Sequence, residues 1–321
     1  MRPAGLAEAL LALGVMSLIG MHSCVGGPSY TDPKGVVVVA SPNTAALHTA
    51  TADQDPSLRH GCSRSPVNPA SSSHPVQPLA SAHAHDDYAH CRPLYDALRR
   101  GFTSIEADVW LVDGRLLVAH DRDDVRADTS LEQLYLSPLE KRIRTHAGVV
   151  YSGWEGSFEL LIDVKSEAAH TYAALEDLLR RHHRIMTAFT DHRIQPRAVT
   201  AIISGNRDRG AMRSRATRYA GFDGRLGDLS TRFPRSFMPT VAADWQETFT
   251  WDGLADMPAA EERRLRRFVT AAHAHGRRVR FWGTPDAPGP ARDAVWNILL
   301  EAHVDQISTD DVAGLATYLS N

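Results

Sequence analysis

Residues 79–321 read as a (β/α)8 barrel on three observations. Eight short apolar runs alternate with helical patterns. The stretch is close to the roughly 250 residues typical of that architecture. The acidic and histidine motifs fall where apolar runs end, which in such a barrel is the face where functional groups gather. The expected class is therefore α/β, a distorted (β/α)8 TIM barrel preceded by a disordered N-terminal segment. Strands are expected at 79–85, 104–111, 158–164, 198–204, 219–226, 238–243, 278–282 and 305–308. The clearest helices are expected at 169–183, at 259–275 ending in Gly276, and at 291–302.

Ahead of the barrel come Met1-Arg2, a mostly apolar run from Leu6 to Met21 broken by Glu8, and small residues up to Gly27. This is the order of a secretory signal. Residues 1–27 are expected to be a signal peptide or lipoprotein signal, with Cys24 the residue a lipid would modify. The protein is then exported, either secreted or membrane-anchored. Residues 28–78 are rich in Pro, Ser, Ala, Thr and Gly and nearly aperiodic, and are expected to form a disordered linker. Cys62 and Cys91 either pair, as export permits, or stay free.

The first strand ends in His83-Ala84-His85, and alternation puts both imidazoles on one face. His85 is nearer the mouth and is the catalytic candidate, whereas His83 is expected to be packed or hydrogen-bonded. On the second strand Glu106 and Asp108, two residues apart, share a face. Adjacent carboxylates repel unless a cation or arginines lie between them, and oxygen ligands suit Mg²⁺ or Ca²⁺ rather than zinc. Asp113-Gly114 between apolar runs signals a two-residue hairpin turn, so the return strand carries His120 back beside the carboxylates. Strict register pairs His120 with Ala107, on the wrong face, so a bulge or a strand end has to release it.

On the third strand Asp163 and Lys165 repeat the two-residue spacing. Lys165 is one of only three lysines among 35 basic residues, and an ammonium beside a metal suits a phosphate oxygen. Ser204-Gly205-Asn206 closes the fourth strand, where Asn206 adds a polar contact. Trp282 on the seventh strand and Trp245 after the sixth offer an apolar wall for a lipid or glycerol portion of a substrate. The remaining helical histidines, His182, His183, His273 and His275, are expected at the surface.

With 43% apolar residues the 321-residue chain can bury a sizeable core. A net charge of −3 with scattered arginines gives no electrostatic footprint for nucleic acid, which is excluded as a partner. The expected partner is a small-molecule or lipid phosphodiester, with peripheral membrane contact and a monomeric protein.

Four segments, Ala84-His85-Asp86-Asp87-Tyr88, Glu106-Ala107-Asp108-Val109-Trp110, Ala119-His120-Asp121 and Ile162-Asp163-Val164-Lys165, follow in the order of a known pattern. Residues 80–321 resemble the PI-PLC-like phosphodiesterase superfamily, which includes glycerophosphodiester phosphodiesterases and sphingomyelinase D toxins. The likeness is nearest to the group named after altered inheritance of mitochondria protein 6. The resemblance implies a metal-dependent phosphoric diester hydrolase or lyase with His85 and His120 as the acid/base pair. It also implies Glu106, Asp108 and Asp163 as ligands of one divalent cation, Mg²⁺ or Ca²⁺. Lys165 would contact phosphate. Apart from the resemblance, Asp87, Asn206 and Trp282 are expected as further substrate contacts.

Two positions depart from the pattern. Asp86 stands where the nearest group usually has asparagine and the glycerophosphodiesterases have arginine. The third carboxylate is Asp163, as in the toxin-like branch, which leaves attack by a substrate hydroxyl, giving a cyclic product, open beside direct hydrolysis. Two other readings compete. His83-Ala84-His85 also resembles the metal site of amidohydrolase-type hydrolases, although the strands expected at 219–226 and 238–243 supply no further histidine. An exported barrel that binds a phosphorylated ligand without turnover is the third.

Overall fold

The structure, a computed structural model, describes residues 76–321 together with four residues of an N-terminal unit. The chain divides into two compact units, Met1–Pro56 and Ser57–Asn321. In the first, Tyr30–Thr31 pairs antiparallel with Val37–Val38. The expected signal sequence at 1–27 lies outside the described residues, as does most of the expected linker at 28–78. Cys91 is disulfide-bonded, and Cys24 and Cys62 lie outside the described residues.

The second unit is built on a closed parallel barrel. Its strands are β1 (Leu79–Ala84), β2 (Phe102–Val112), β4 (Phe158–Val164), β5 (Val199–Gly205), β6 (Ala220–Gly224), β7 (Thr240–Asp244), β8 (Arg278–Trp282) and β9 (Gln306–Thr309). Each pairs in parallel with the next, and β9 returns to β1 with Thr309 opposite Ala84, so no edge is left open in the eight-stranded ring. A ninth strand, β3 (Arg115–Val118), adds antiparallel to β2.

Helices α1 (Ser137–Thr145), α2 (Ala168–Arg181), α3 (Ala259–Ala274), α4 (Pro290–Glu301) and α5 (Val312–Leu319) follow strands in the manner of βα units. In α2 the buried Tyr172, Leu175, Leu178 and Leu179 recur at helical spacing, and Glu167 caps the first turn by accepting from the Ala169 and His170 amides. All eight expected strands form, with ends displaced by at most two residues. The Asp113-Gly114 turn is present with positive φ at both residues (49° and 74°), the conformation that matches the twist of a two-residue hairpin.

The barrel's interior is polar along one column. Glu159 pairs with Arg278 and accepts from Gln306 Nε2 (2.8 Å) and Ser104 Oγ (3.2 Å). His83 Nδ1 lies 2.7 Å from Ser104 Oγ, and its Nε2 is 3.4 Å from Arg280 Nη1. Arg280 in turn donates to Glu106 Oε2 at 3.1 Å. Buried polar groups need such partners, and this column supplies most of them from the barrel's floor up to the first rim carboxylate, leaving Gln306 Oε1 and Arg280 Nε without one.

Candidate active site

Strand register assembles the rim. Alternation puts Glu106 and Asp108 on one face of β2, and the β2–β4 ladder sets Asp163 directly opposite Asp108. Ligand oxygens of Glu106, Asp108 and Asp163 lie within 4.8 Å of one another. Lys165 Nζ closes the group, 3.0 Å from Asp108 Oδ2 and 3.8 Å from Asp163 Oδ2. The four acidic and basic residues read from the sequence as one centre are thus one centre.

The electrostatics of the cluster follow from burial and like charge. Burial and then the negative charges of Glu106 and Asp86 push Asp108 up to about 8, while burial and Glu106 push Asp163 up to about 6. Burial also works against ionised Glu106, but the Arg280 guanidinium and then His85 overcome it and hold this carboxyl well below its usual range. Lys165 and Arg280 offset two of the three carboxylates. Asp108 Oδ1 is buried and has no hydrogen-bond partner. A hard cation with oxygen ligands fits this donor set, because it would neutralise the remaining charge and give that orphaned oxygen a partner.

Tyr88, to which sequence reasoning gave no role, ties two loops of the rim together. Its Oη lies 2.7 Å from Asp86 Oδ1 and 2.8 Å from Asp108 Oδ2. One phenolic O–H donates to only one carboxylate at a time, so Asp86 and Asp108 share the Tyr88 proton between them.

His85 follows β1 at the mouth, its amide donating to Thr309 O (2.9 Å). Its ring is about one-third exposed, with Nδ1 2.9 Å from Asp310 Oδ1 and 3.7 Å from Asp86 Oδ2. Asp310 is held in turn by Asp286, whose Oδ2 accepts the Asp310 amide at 2.9 Å while its Oδ1 accepts from Thr309. Burial lowers the imidazole's proton affinity, but Glu106, Asp310 and Asp86 outweigh it and raise it to about 10. Nε2 makes no hydrogen bond among the described residues and is the nitrogen left for a reactant. His83 differs: it is fully buried, pushed down to about 4 chiefly by that burial, and held under Glu106 between Ser104 and Arg280. The histidine pair of the amidohydrolase reading is therefore not presented together at the rim.

The other expected residues divide. β3 ends at Val118 and the Ala119 amide bonds Asp108 O at 3.2 Å, so His120 lies just past the strand end. Contrary to the expectation that it turns inward, its side chain is 60% exposed, with Nδ1 3.3 Å from Asp121 Oδ1. No contact brings it to the carboxylates. Asn206 spends its amide on the Lys165 and Ser166 carbonyls (3.2 and 3.1 Å) and so braces the loop that carries Lys165. Trp282 ends β8 opposite Asp244 and is partly buried. Trp245 is buried in the core against Phe249 and Phe281 rather than lining a wall at the mouth.

Asp87 needs a correction. It is fully buried, and its Oδ2 accepts the amide of Leu94, a residue held at φ 67°. Asp86 takes a left-handed φ of 44°, and the turn carries Asp87 away from the mouth. Asp87 is consequently a bracket for the 90–94 loop and lies out of a substrate's reach.

Gly205 shows how closely the next strand is fitted to the cluster. It sits at φ +66°, and a Cβ there would meet Asp163 Oδ1 at 1.9 Å and Val164 O at 2.5 Å. Gly205→Ala is expected to cost about 1–3 kcal/mol through the strained φ alone and to lower turnover at least tenfold by displacing Asp163. Thermal midpoint and initial rate check the two effects together, and an unchanged rate would show that Asp163's position does not matter.

Comparison with known proteins places these residues in context. The family profile described as AIM6-like phosphodiesterase domain matches residues 71–223, a span that holds His85, Glu106, Asp108, His120, Asp163 and Lys165. The chain is 30% identical over 275 residues to "Altered inheritance of mitochondria protein 6" of Eremothecium gossypii, covering 76% of this chain and 70% of that protein. It is 28% identical over 261 residues to the "Altered inheritance of mitochondria protein 6 homolog" of Arthroderma benhamiae, covering 74% and 82%. Among solved structures, phosphatidylinositol-specific phospholipase C from Listeria monocytogenes aligns with a TM-score of 0.42 at 10% identity over 76% of this chain and 84% of that one.

Proposed function

Since this chain belongs to the altered inheritance of mitochondria protein 6 family and carries its AIM6-like phosphodiesterase domain, we propose that the rim cluster cleaves phosphoric diesters with the help of one divalent cation, Mg²⁺ or Ca²⁺. The observation that carries this reading is a single constellation. Three carboxylates with ligand oxygens within 4.8 Å of each other stand beside Lys165, on a rim that also carries an aspartate-fixed histidine.

Glu106, Asp108 and Asp163 would hold the cation, which would supply Lewis-acid stabilisation of the charge gathering on the phosphorus-bound oxygens. Lys165, already 3.0 Å from Asp108, places an ammonium against the same oxygens. His85 is the base. Asp310 on Nδ1 fixes the ring and stabilises the imidazolium formed when Nε2 takes the proton of the attacking hydroxyl. That hydroxyl belongs to water or to the substrate itself, giving an open or a cyclic phosphate. The new P–O bond forms as the bond to the departing alcohol breaks. His120, starting from the rim beside Asp108, gives its proton to that alcohol, and both imidazoles return to their starting states when the protons exchange with solvent.

The reading is tested by phosphorus NMR of the purified chain with glycerophosphodiesters, lysolipids, phosphoinositides and sphingolipids, with and without a chelator. New phosphomonoester or cyclic phosphate resonances that vanish on chelation are the expected result. No turnover of any diester in Mg²⁺ or Ca²⁺ would sink it. The role given to His120 has its own signature. His120→Ala is expected to slow an alkyl diester about 100-fold or more and a nitrophenyl diester about tenfold or less, since a good leaving group needs little protonation. Equal losses on both would remove His120 from the acid's role.

A further inference from the structure

A cleft of about 820 Å³ opens beside the carboxylate cluster, walled by Trp110 and Phe222 and lined by Arg122, Lys165, Arg207 and Arg209. It is a direct neighbour of the cluster: Lys165 lines it while touching Asp108, and Gly205, which also lines it, abuts Asp163. Four cationic side chains face it against one carboxylate, Glu167, and that carboxylate is engaged in capping α2.

The cations are not equally occupied. Lys165 serves Asp108 and Asp163, and Arg209 pairs with Asp228 at 3.0 Å. Nearby, Arg225 pairs with buried Asp223 at 2.7 Å. Arg207 is different. Its guanidinium lies 5.0 Å over the Phe222 ring, and its Nη1 is shielded from water with no hydrogen-bond partner. A guanidinium set over an aromatic ring, with one nitrogen that has no hydrogen-bond partner, keeps donor capacity for an oxyanion. Burial and then the like charge of Arg225 push Arg207 below its ordinary range, and an anion bound there would relieve both effects.

The geometry points to a second phosphate site: the cleft holds a phosphomonoester carried by the same substrate whose diester lies at the carboxylate cluster, with Arg207 as the specificity-determining residue. The inference rests on the phosphodiesterase reading and narrows it to head groups that bear an additional phosphate. A cleft of this volume accommodates such a group together with part of the alcohol that carries it.

The test compares pairs of diesters that differ only in one phosphomonoester on the head group. One pair is soluble and deacylated, and the other is presented as lipid in phosphatidylcholine vesicles. The phosphorylated member is expected to show a kcat/KM at least about tenfold higher, the scale of charge-assisted hydrogen bonds, and Arg207→Gln is expected to bring that ratio toward one. A preference in the soluble pair marks a free phosphorylated alcohol as sufficient, and a preference only in vesicles marks the lipid as the source.

A second measurement does not depend on turnover. Inorganic phosphate titrated into the full chain in the presence of chelator, followed by phosphorus NMR, is expected to bind saturably and about tenfold more weakly to Arg207→Gln, again the scale of a charge-assisted pair. Arg207→Lys, which keeps the charge and the stacking stem, should fall between. A wild-type ratio of one with active plain diester, a ratio unchanged in Arg207→Gln, a preference for a carboxylate-bearing diester instead, or identical phosphate titrations would each overturn the site. If no diester is turned over, the phosphodiesterase reading fails, and the titration still decides whether the cleft takes phosphate.

Discussion

Replacing His85 by alanine is expected to lower turnover of an alkyl phosphodiester by about three orders of magnitude while leaving the fold intact, within the range that a positioned acid or base contributes. The expectation starts from position. His85 follows β1 at the barrel mouth, and its side chain is one-third exposed. What holds the ring is Asp310 at 2.9 Å on Nδ1, and Asp310 is itself held by Asp286. That dependence gives a second, finer expectation. Asp310→Asn keeps the shape but removes a charge that raises the imidazole's proton affinity. The His85 pKa should therefore fall, and the acidic limb of the kcat/KM profile should move to lower pH, while the plateau above the limb drops between about 10- and 100-fold because the ring is a weaker, less fixed base. Circular dichroism and thermal midpoint establish that both variants fold. Turnover in His85→Ala within tenfold of wild type would remove the imidazole from the reaction. An unmoved limb in Asp310→Asn would leave Asp310 a surface partner without influence on the base.

The carboxylates are legible in the sequence because their placement depends on one strand at a time. Alternation fixes Glu106 and Asp108 to one face, the end of an apolar run fixes them near the mouth, and the same holds for Asp163 and Lys165. The Asp113-Gly114 hairpin is legible for a similar reason: two positive-φ residues in a row suit few other sequences. Groups that depend on ring closure are not. Arg280 reaches Glu106 from β8, 174 residues along the chain, and Asp310 reaches His85 across 225. No local periodicity couples such positions, and an arginine on a barrel strand reads as an ordinary charged residue until closure gives it a buried partner. Tyr88 and Asp87 are obscured by backbone geometry. The strand ends at Ala84 and the chain turns left-handed at Asp86, so what Asp87 and Tyr88 face is set by that turn, which no local periodicity announces. Arg207 escapes because its signal is an unpaired guanidinium nitrogen inside a cleft, and pairing is a property of tertiary structure.

Asp108→Asn is expected to separate stability from activity in opposite directions. The wild-type carboxylate has Oδ2 between Tyr88 Oη at 2.8 Å and Lys165 Nζ at 3.0 Å, while Oδ1 is buried and unpartnered. An asparagine whose carbonyl takes the Oδ2 position keeps both donors and places its amide nitrogen where the orphaned oxygen stood. The pH dependence follows from the raised proton affinity. Asp108 in the folded chain titrates near 8, well above an exposed aspartate, so the folded state binds the extra proton. Stability from this group is therefore complete below about pH 4, where an exposed aspartate is protonated, and is lost progressively as pH rises from there to about 8. The substituted amide has nothing to titrate. Without divalent cation the variant's thermal midpoint should exceed the wild type's at pH 9, and the gap should close by about pH 4. Added Mg²⁺ or Ca²⁺ should reverse the order at high pH. A cation at 100 times its Kd stabilises the wild type by about 2.7 kcal/mol, a rise of roughly 5–10 °C for a unit of this size, and the variant should gain little. Turnover should fall by about 10³-fold or more, because the substituted position no longer supplies an anionic oxygen to the cation. A variant that keeps the full cation-induced rise would show that the metal binds elsewhere. A wild type that shows no rise with either ion would leave the three carboxylates as a structural charge network held by Lys165 and Arg280.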